Sequence, residues 1–353
     1  MFDLYSGNTP SRLNKEHFKG TVNWISSGEL KEHYIYSSKE QISEEAAKSL
    51  KLLPVGTFVI AIYGLEAEGV RGTGSITQEP STISQACMSF IQKGEIGNEF
   101  LYSWYKKHGN VIGIRYAQGT KQQNLSYDIL EKFRIVYPKT KEQEKLNKLI
   151  SLLDERISTQ NKIIEDLKKL KSAISENLFK EVKGDVVMLS EICEISKGKQ
   201  INGEFLSEKG KYYVMNGGTE PSGYYNNYNV EANTISISEG GNSCGYVQFN
   251  TSPFWSGGHC YTILEIADNV DNLYLYHFLK SKENDIMKLR IGSGLPNIQK
   301  KDLAMFKIKI PTVEQQKAIS TFLSSLERKT EIEERTQNAM QKEKQYLLRQ
   351  MFI

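Results

Sequence analysis

Gly119–Phe179 reads GTKQQNLSYDILEKFRIVYPKTKEQEKLNKLISLLDERISTQNKIIEDLKKLKSAISENLF, and Gly292–Phe352 reads GSGLPNIQKKDLAMFKIKIPTVEQQKAISTFLSSLERKTEIEERTQNAMQKEKQYLLRQMF. Slid by 173 residues, the two stretches superpose without a gap and share 12 of 61 residues. Asn124 meets Asn297, Leu130 meets Leu303, Phe133 meets Phe306, Ile135 meets Ile308 and Pro138 meets Pro311. Further on, Gln143 meets Gln316, Leu153 meets Leu326 and Lys171 meets Lys344. Two amphipathic helices resemble each other by periodicity alone. Periodicity does not supply the shared Gly, Asn and Phe-x-Ile ahead of each helix, so the chain reads as an internal duplication. The offset also pairs Cys87 with Cys260, and with gaps it sets Ser6-Gly7 against Lys197-Gly198 and Trp24–Gly28 against Val214–Gly218.

Each half changes character at its proline. Lys141–Val182 contains no Pro or Gly, and apolar residues recur at steps of four and three: Leu146, Ile150, Leu153, Ile157, Ile164, Leu167, Ile174 and Leu178. As a heptad, Ile150, Ile157 and Ile164 take a positions and Leu153 and Leu167 take d positions, with Gln160 and Lys171 as polar interruptions. A helix of about 40 residues is near 60 Å long and needs a partner along its apolar stripe. The second copy offers one in Ile319, Leu323, Leu326, Met340, Leu347 and Met351, with Thr330, Glu333 and Gln337 in a more polar middle. The two helices are expected to pair antiparallel, because a globular domain must be traversed between them. Ahead of each proline lie short runs rich in Gly, Tyr, Thr, Val and Ile. Leu52–Tyr63, Asn233–Ser238 and Phe133–Tyr137 read as strands, Gly64–Gly74 and Glu239–Gly245 as Gly-rich loops, and Glu99–Lys107 and Asn272–Lys282 as short helices.

The expected fold is therefore α+β: two mixed α/β domains in tandem at 1–137 and 184–310. Helices at 138–183 and 311–353 space them as an antiparallel coiled coil, giving a pseudo-two-fold repeat. The 353 residues suffice for two or three domains, and 39% hydrophobic with 25% charged residues excludes a disordered or fibrous chain. No run approaches the roughly 18 apolar residues of a membrane span, and Met1–Thr9 lacks the pattern of a signal peptide. Four cysteines without a CxxC pair read as reduced thiols in a cytoplasmic protein.

Two similar heads on a stiff spacer have the geometry for reading two half-sites on one polymer. A net charge of +3 does not by itself argue for nucleic acid, so the argument rests on side chains in loop-like segments. In the first half these are Arg12, Lys15, Arg71, Gln78, Lys121, Gln122 and Gln123; in the second, Lys197, Lys199, Gln200, Asn216, Asn242, Lys288 and Arg290. Arg and Lys suit guanine edges and phosphates, Asn and Gln suit adenine.

Gly7-Asn8-Thr9-Pro10-Ser11, the Trp24–Gly28 element, an Asn-[Leu/Ile] step, Phe-x-Ile-x-x-Pro, then Glu142-Gln143 and Glu314-Gln315 opening long helices form an ordered series, most of it present twice. This arrangement resembles the specificity subunit of type I restriction–modification enzymes over essentially the whole chain. The resemblance implies two target-recognition domains reading a bipartite, asymmetric site on double-stranded DNA, with the helices setting the gap. It also implies two methyltransferase (M) subunits docked on the helices and restriction (R) subunits joining them. S-adenosylmethionine, ATP and Mg²⁺ would then be bound by those partners and none by this chain, which would do no catalysis. Two departures stand out. Val186–Ile192 introduces the second half, whereas the first begins almost at its Gly7, leaving a naturally short copy, a trimmed start or completion by the far end of the chain. The Glu-Gln pair also differs by one residue in register between the halves.

Catalytic motifs are not found. No proline is followed by proline or preceded by Asn or Asp, so the loop that grips an exocyclic amine in adenine methyltransferases is missing. Gly69–Gly74 (GVRGTG) lacks the Lys-Ser/Thr of a phosphate-binding loop. Cys244, His259 and Cys260 do not make the four closely spaced ligands of a structural zinc site. An enzyme with divergent motifs and a coiled-coil adaptor with heads that bind proteins or glycans remain the competing classes.

Overall fold

The computed structural model describes residues 1–67, 69–292, 294 and 296–352. Its contacts divide the chain into two units, Met1–Thr159 with Gln337–Ile353 and Gln160–Thr336. The first opens with β1 (Phe2–Ser6), β2 (Val22–Ile25), β3 (Tyr34–Ile35), β4 (Gln41–Ile42) and helix α1 (Glu44–Lys48). Then come β5 (Phe58–Ala61), β6 (Gly74–Thr77), β7 (Ser81–Ile83), β8 (Cys87–Gln92), α2 (Asn98–Tyr116), α3 (Tyr127–Leu130) and the long α4 (Thr140–Glu181). One sheet has the order β1-β8-β5-β6-β3 and a smaller one β4-β2-β7. All four residues of β5 are buried, which is why that strand reads as an unbroken apolar run without alternation. Phe100, Leu101, Trp104 and Tyr105 of α2 complete its core. The small sheet has its own core of Trp24, Ile42 and Ala46.

The second unit contains β9 (Asp185–Met188), α5 (Leu189–Ile192), β10 (Glu194–Lys197), β11 (Tyr212–Met215), β12 (Gly223–Tyr225), β13 (Thr234–Ser238) and β14 (Val247–Asn250). It continues with β15 (Trp255–Ser256), β16 (Cys260–Leu264), α6 (Asn272–Ser281), α7 (Glu283–Met287), α8 (Lys300–Ala304), β17 (Lys307–Ile310) and α9 (Val313–Met351). The order β1-β8-β5-β6 recurs as β10-β16-β13-β14, and the parallel pair β2/β7 recurs as β11/β15.

The duplication extends to individual backbone bonds. Gly7 N–H donates to Cys87 O at 3.2 Å and Gly198 N–H to Cys260 O at 2.8 Å. A Cβ at either glycine would run into the carbonyl of Ile83 or Gly257. Gln118 and Asn124 exchange both backbone bonds, as do Ile291 and Asn297. The glycines that follow, Gly119 at φ 117° and Gly292 at φ 102°, take up backbone that other residues rarely adopt. The shared Gly and Asn thus build one turn twice.

Within each unit, α4 and α9 segments run antiparallel. In the second, Gln160 Nε2 donates to Glu333 Oε2 at 2.5 Å and Lys171 Nζ lies 2.7 Å from Glu327 Oε1, so partner numbers fall as those of α4 rise. In the first, Lys344 pairs with Asp154, which is the Lys171–Glu327 pair carried 173 residues on. None of the fourteen apolar stripe residues is exposed, and polar Gln160 and Thr330 are buried among them. The helix ends enter the cores: Phe352 packs on Phe100 in the first unit, Phe179 on Tyr274 and Phe278 in the second. Lysines cap both ends, Lys107 on Arg349 O and Lys309 on Lys180 O.

Gln143 accepts from Gly97 N–H and donates to Glu95 O and Pro138 O. Gln316 accepts from Asp271 N–H and donates to Asn269 O and Pro311 O. Gln316, and not the exposed Gln315 of the Glu-Gln pair, is therefore the counterpart of Gln143, and the one-residue register difference disappears.

Two readings of the sequence are corrected. Phe133–Tyr137 is not a strand: Phe133, Ile135 and Tyr137 pack against the core, but no described strand pairs with them, whereas their counterpart β17 pairs with β9. Helix α2 continues past Lys107 to Tyr116. Gly109 and Gly113 within it let the helix approach Gly72 and Arg71 closely. Glu68, in the Gly64–Gly74 loop, and Ser293 and Leu295, in the second repeated stretch, lie outside the described residues. All four cysteines are free and buried, and burial pushes Cys87 up to about 12 and Cys260 up to about 11.

Candidate nucleic-acid interface

In the second unit, the Lys197 end of β10 meets the loops after β11 and β13 and the loop before β16. The side chain at their centre is Glu239, 7% exposed. Its carboxylate takes Lys197 Nζ at 2.6 Å and the Tyr261 hydroxyl at 3.0 Å, with His259 Nδ1 at 3.6 Å. Burial, followed by this carboxylate, pushes the Tyr261 hydroxyl well above its usual range. Asn216 Oδ1 accepts the His259 N–H at 3.2 Å. Gln200 lies against Gly258, and Lys199 O accepts from Trp255 Nε1 at 2.9 Å. Gly240 bridges to Asn297, bringing the stretch that holds Arg290 to the same loop.

The structure thus gathers Lys197, Lys199, Gln200 and Asn216 around one sheet end, with Asn242 in the adjoining turn and Arg290 in the adjoining stretch. Lys199, Gln200, Asn242 and Arg290 are exposed. Lys288, also exposed, is engaged by Asp285 at 2.8 Å. Glu239, His259 and Tyr261 were not singled out as interface residues in the sequence. The available signal was an acidic residue inside the Gly-rich run Ser238-Glu239-Gly240-Gly241.

The first-unit candidates fall into separate places. Arg12 makes a bidentate pair with Glu40 at 2.7 and 2.9 Å and lies over Phe18 and Trp24. Lys15 is exposed on the adjacent 3-10 turn. Half-buried Arg71 donates to Gln123 Oε1 at 3.0 Å, and Gln123 N–H donates to Glu66, so these two hold loops together. Lys121 and Gln122 are exposed at the tip of the Gln118–Asn124 turn. Gln78, after β6, bonds the neighbouring Thr77 carbonyl.

Loops beside the strands add exposed polar and aromatic groups: Tyr36 and Lys39 between β3 and β4, and Asn226, Asn227 and Tyr228 after β12. Asn and Lys suit base edges and phosphates, and tyrosine suits base faces. Among the described residues no group of three potential metal ligands is present, and no helix is long and apolar enough to cross a membrane. Cys244 donates to the Glu239 carbonyl, while Cys260 is buried in the core beneath the small sheet.

The family model of the type I restriction modification DNA specificity domain matches residues 1–169 and 181–342. A putative type I specificity subunit of Mycoplasma pneumoniae is 34% identical over 158 residues, 44% of this chain and 40% of that protein. A type I restriction enzyme specificity subunit of Methanocaldococcus jannaschii is 29% identical over 183 residues, 50% of this chain and 41% of that protein. The matched stretches thus span about two fifths of the length of these relatives. In fold, the chain is similar over its full length to the crystal structure of a type I restriction–modification S subunit from M. genitalium. The TM-score there is 0.67 at 19% identity, with 94% of that chain covered.

Proposed function

We propose that this chain, which belongs to the type I restriction–modification DNA specificity family, selects the DNA sequence on which partner subunits act. The observation that carries this reading is the repetition of one scaffold bearing two different sets of exposed loop side chains. A duplicated frame with unlike loops suits a bipartite, asymmetric site, one half-site per domain. In the second domain, exposed Lys199, Asn242 and Arg290 are the groups for phosphates and base edges; in the first, Lys15, Lys121 and Gln122 are. The long helices act as the spacer between half-sites and as the platform for partners. Their outer faces carry apolar residues at 41–62% exposure: Leu149, Leu152, Ile163 and Leu170 on α4, and Phe322, Ile332 and Tyr346 on α9. Leu149 and Phe322 are repeat counterparts, which suits two copies of one methyltransferase subunit. Restriction subunits join that assembly. S-adenosylmethionine, ATP and Mg²⁺ belong to the partners, and this chain supplies no catalytic group.

The test is reconstitution with methyltransferase subunits, mapping methylated adenines in genomic DNA. A two-part motif is expected. Inserting one heptad after Gln160 and another after Glu333 lengthens each helix by ~10 Å. The undefined gap then grows by about three base pairs while both half-sites stay unchanged. A continuous motif, or a gap indifferent to the insertion, overturns the reading.

A further inference from the structure

Lys197 ends β10 opposite Tyr261 of β16, so strand pairing fixes where its side chain leaves the sheet end. Its Nζ donates to Glu239 Oε1 at 2.6 Å, and the Tyr261 hydroxyl donates to the same oxygen at 3.0 Å. The carboxylate side chain is 9% exposed, while the lysine side chain keeps 52% of its surface open. An ammonium carries three N–H groups, so two remain for acceptors outside the chain.

Stability does not account for this arrangement. Taking a carboxylate out of water is costly, and a buried ion pair seldom outperforms well-packed apolar residues. The first unit closes the matched places with Ser6, Ile62, Ala86 and Met88. For recognition, the pairing has two consequences. It holds in one geometry a side chain that otherwise has many rotamers. It also cancels the lysine's charge locally, which weakens the pair as a phosphate ligand but leaves the outward N–H donors intact. Exposed Lys199, two residues on, is in no ion pair among the described residues.

We propose, resting on the DNA-selecting function above, that Lys197 is the guanine-reading donor of the second unit and that Glu239 is its positioning residue. The two outward N–H groups of the ammonium meet guanine O6 and N7 in the major groove. Lys199, with its charge unmasked, contacts a phosphate instead.

The test uses the complex reconstituted with methyltransferase subunits and duplexes carrying its mapped motif, each base pair replaced in turn. Binding is followed by fluorescence anisotropy over a series of salt concentrations. The double variant Lys197→Met/Glu239→Gln removes both charges and keeps the shapes. It should lose roughly tenfold or more of the discrimination at one G·C pair of one half-site, with the salt dependence unchanged. Glu239→Gln alone frees the ammonium: discrimination falls at the same pair, non-specific binding rises, and the plot of log Kd against log salt steepens by about one. Lys199→Gln should weaken binding to all duplexes alike and make that slope shallower by about one. Tyr261→Phe removes only the hydroxyl that steadies the carboxylate. It loses a smaller part of the same discrimination, and it carries the test if the double variant does not fold. Failure to lose discrimination at any G·C pair overturns the assignment. So does a uniform loss with a shallower slope in the double variant, which makes Lys197 a phosphate contact. A wild-type complex without a two-part motif overturns the proposed function itself; a two-part motif indifferent to these variants overturns only the contact assigned to Lys197.

Discussion

The two units share their main chain and differ in what they hang on it. Ile62 N–H bonds the Ala86 carbonyl where Glu239 N–H bonds that of His259, and Leu125 N–H bonds the Ile62 carbonyl where Ile298 N–H bonds that of Glu239. In these matched places the first unit has Ser6, Ile62, Ala86 and Met88, and the second has Lys197, Glu239, His259 and Tyr261. An apolar plug in one is a buried carboxylate with its own ligands in the other. Backbone bonds fix the frame without consulting these side chains, so the sheet end can be rewritten while the core stays closed. That separation lets the two units carry unlike side chains on one frame.

The strongest way to break the comparison is through the helix ends. Phe179 and Phe352 are fully buried, each against aromatic rings of one unit. Phe179→Ala and Phe352→Ala should each cost about 3–5 kcal/mol in denaturant unfolding. Amide exchange should place the first loss in the second unit and the second loss in the first unit. If either substitution loosens both units equally, the division into two cores fails.

A second test uses a position where the units differ inside a shared core. His277, 3% exposed, has Trp104 as its counterpart. Its Nε2 lies 2.9 Å from Ser324 Oγ, and Glu327, Lys171 and Asp271 face it. Burial holds it down at about 4, below an ordinary value of 6.5. The unfolded chain takes up a proton that the folded one refuses, so this contribution is whole above the ordinary value and is lost as pH falls toward about 4. Up to about 3 kcal/mol of the second unit's stability should disappear across that window. Stability measured against pH should flatten there in His277→Asn, and the first unit should show no such slope from Trp104.

Much of this frame was legible because it rests on signals that do not need a partner's identity. The offset of 173, the two turns around Asn124 and Asn297, and the seam of the long helices follow from Gly, Asn and apolar spacing. Phe133–Tyr137 was misread because a strand depends on a neighbour that the local sequence does not name. Helix α2 is expected only to Lys107, and the close packing of Gly109 and Gly113 along its continuation to Tyr116 exists only in three dimensions. At the candidate interface, Arg71 and Gln123 were chosen by residue type. Type cannot tell a loop-holding arginine from a free one, as the bond between these two makes plain. Glu239 is not legible as an interface residue because its burial and partners, Lys197, His259 and Tyr261, come from segments distant in sequence.

The finest test concerns the paired glutamines. Gln143 and Gln316 each satisfy one N–H and two carbonyls where a long helix meets the loop before α2 or α6. Removing the side chain leaves those backbone groups unpaired in buried surroundings, so Gln143→Ala and Gln316→Ala should each cost about 2 kcal/mol. Gln315→Ala, one residue away and exposed, should change little, because its amide has no comparable set of partners. The Gln315 control sharpens the comparison: a loss there equal to that at Gln316 would restore the one-residue slip between the halves. Equal losses at 143 and 316 with none at 315 would fix the repeat at 173 in energy as well as in geometry.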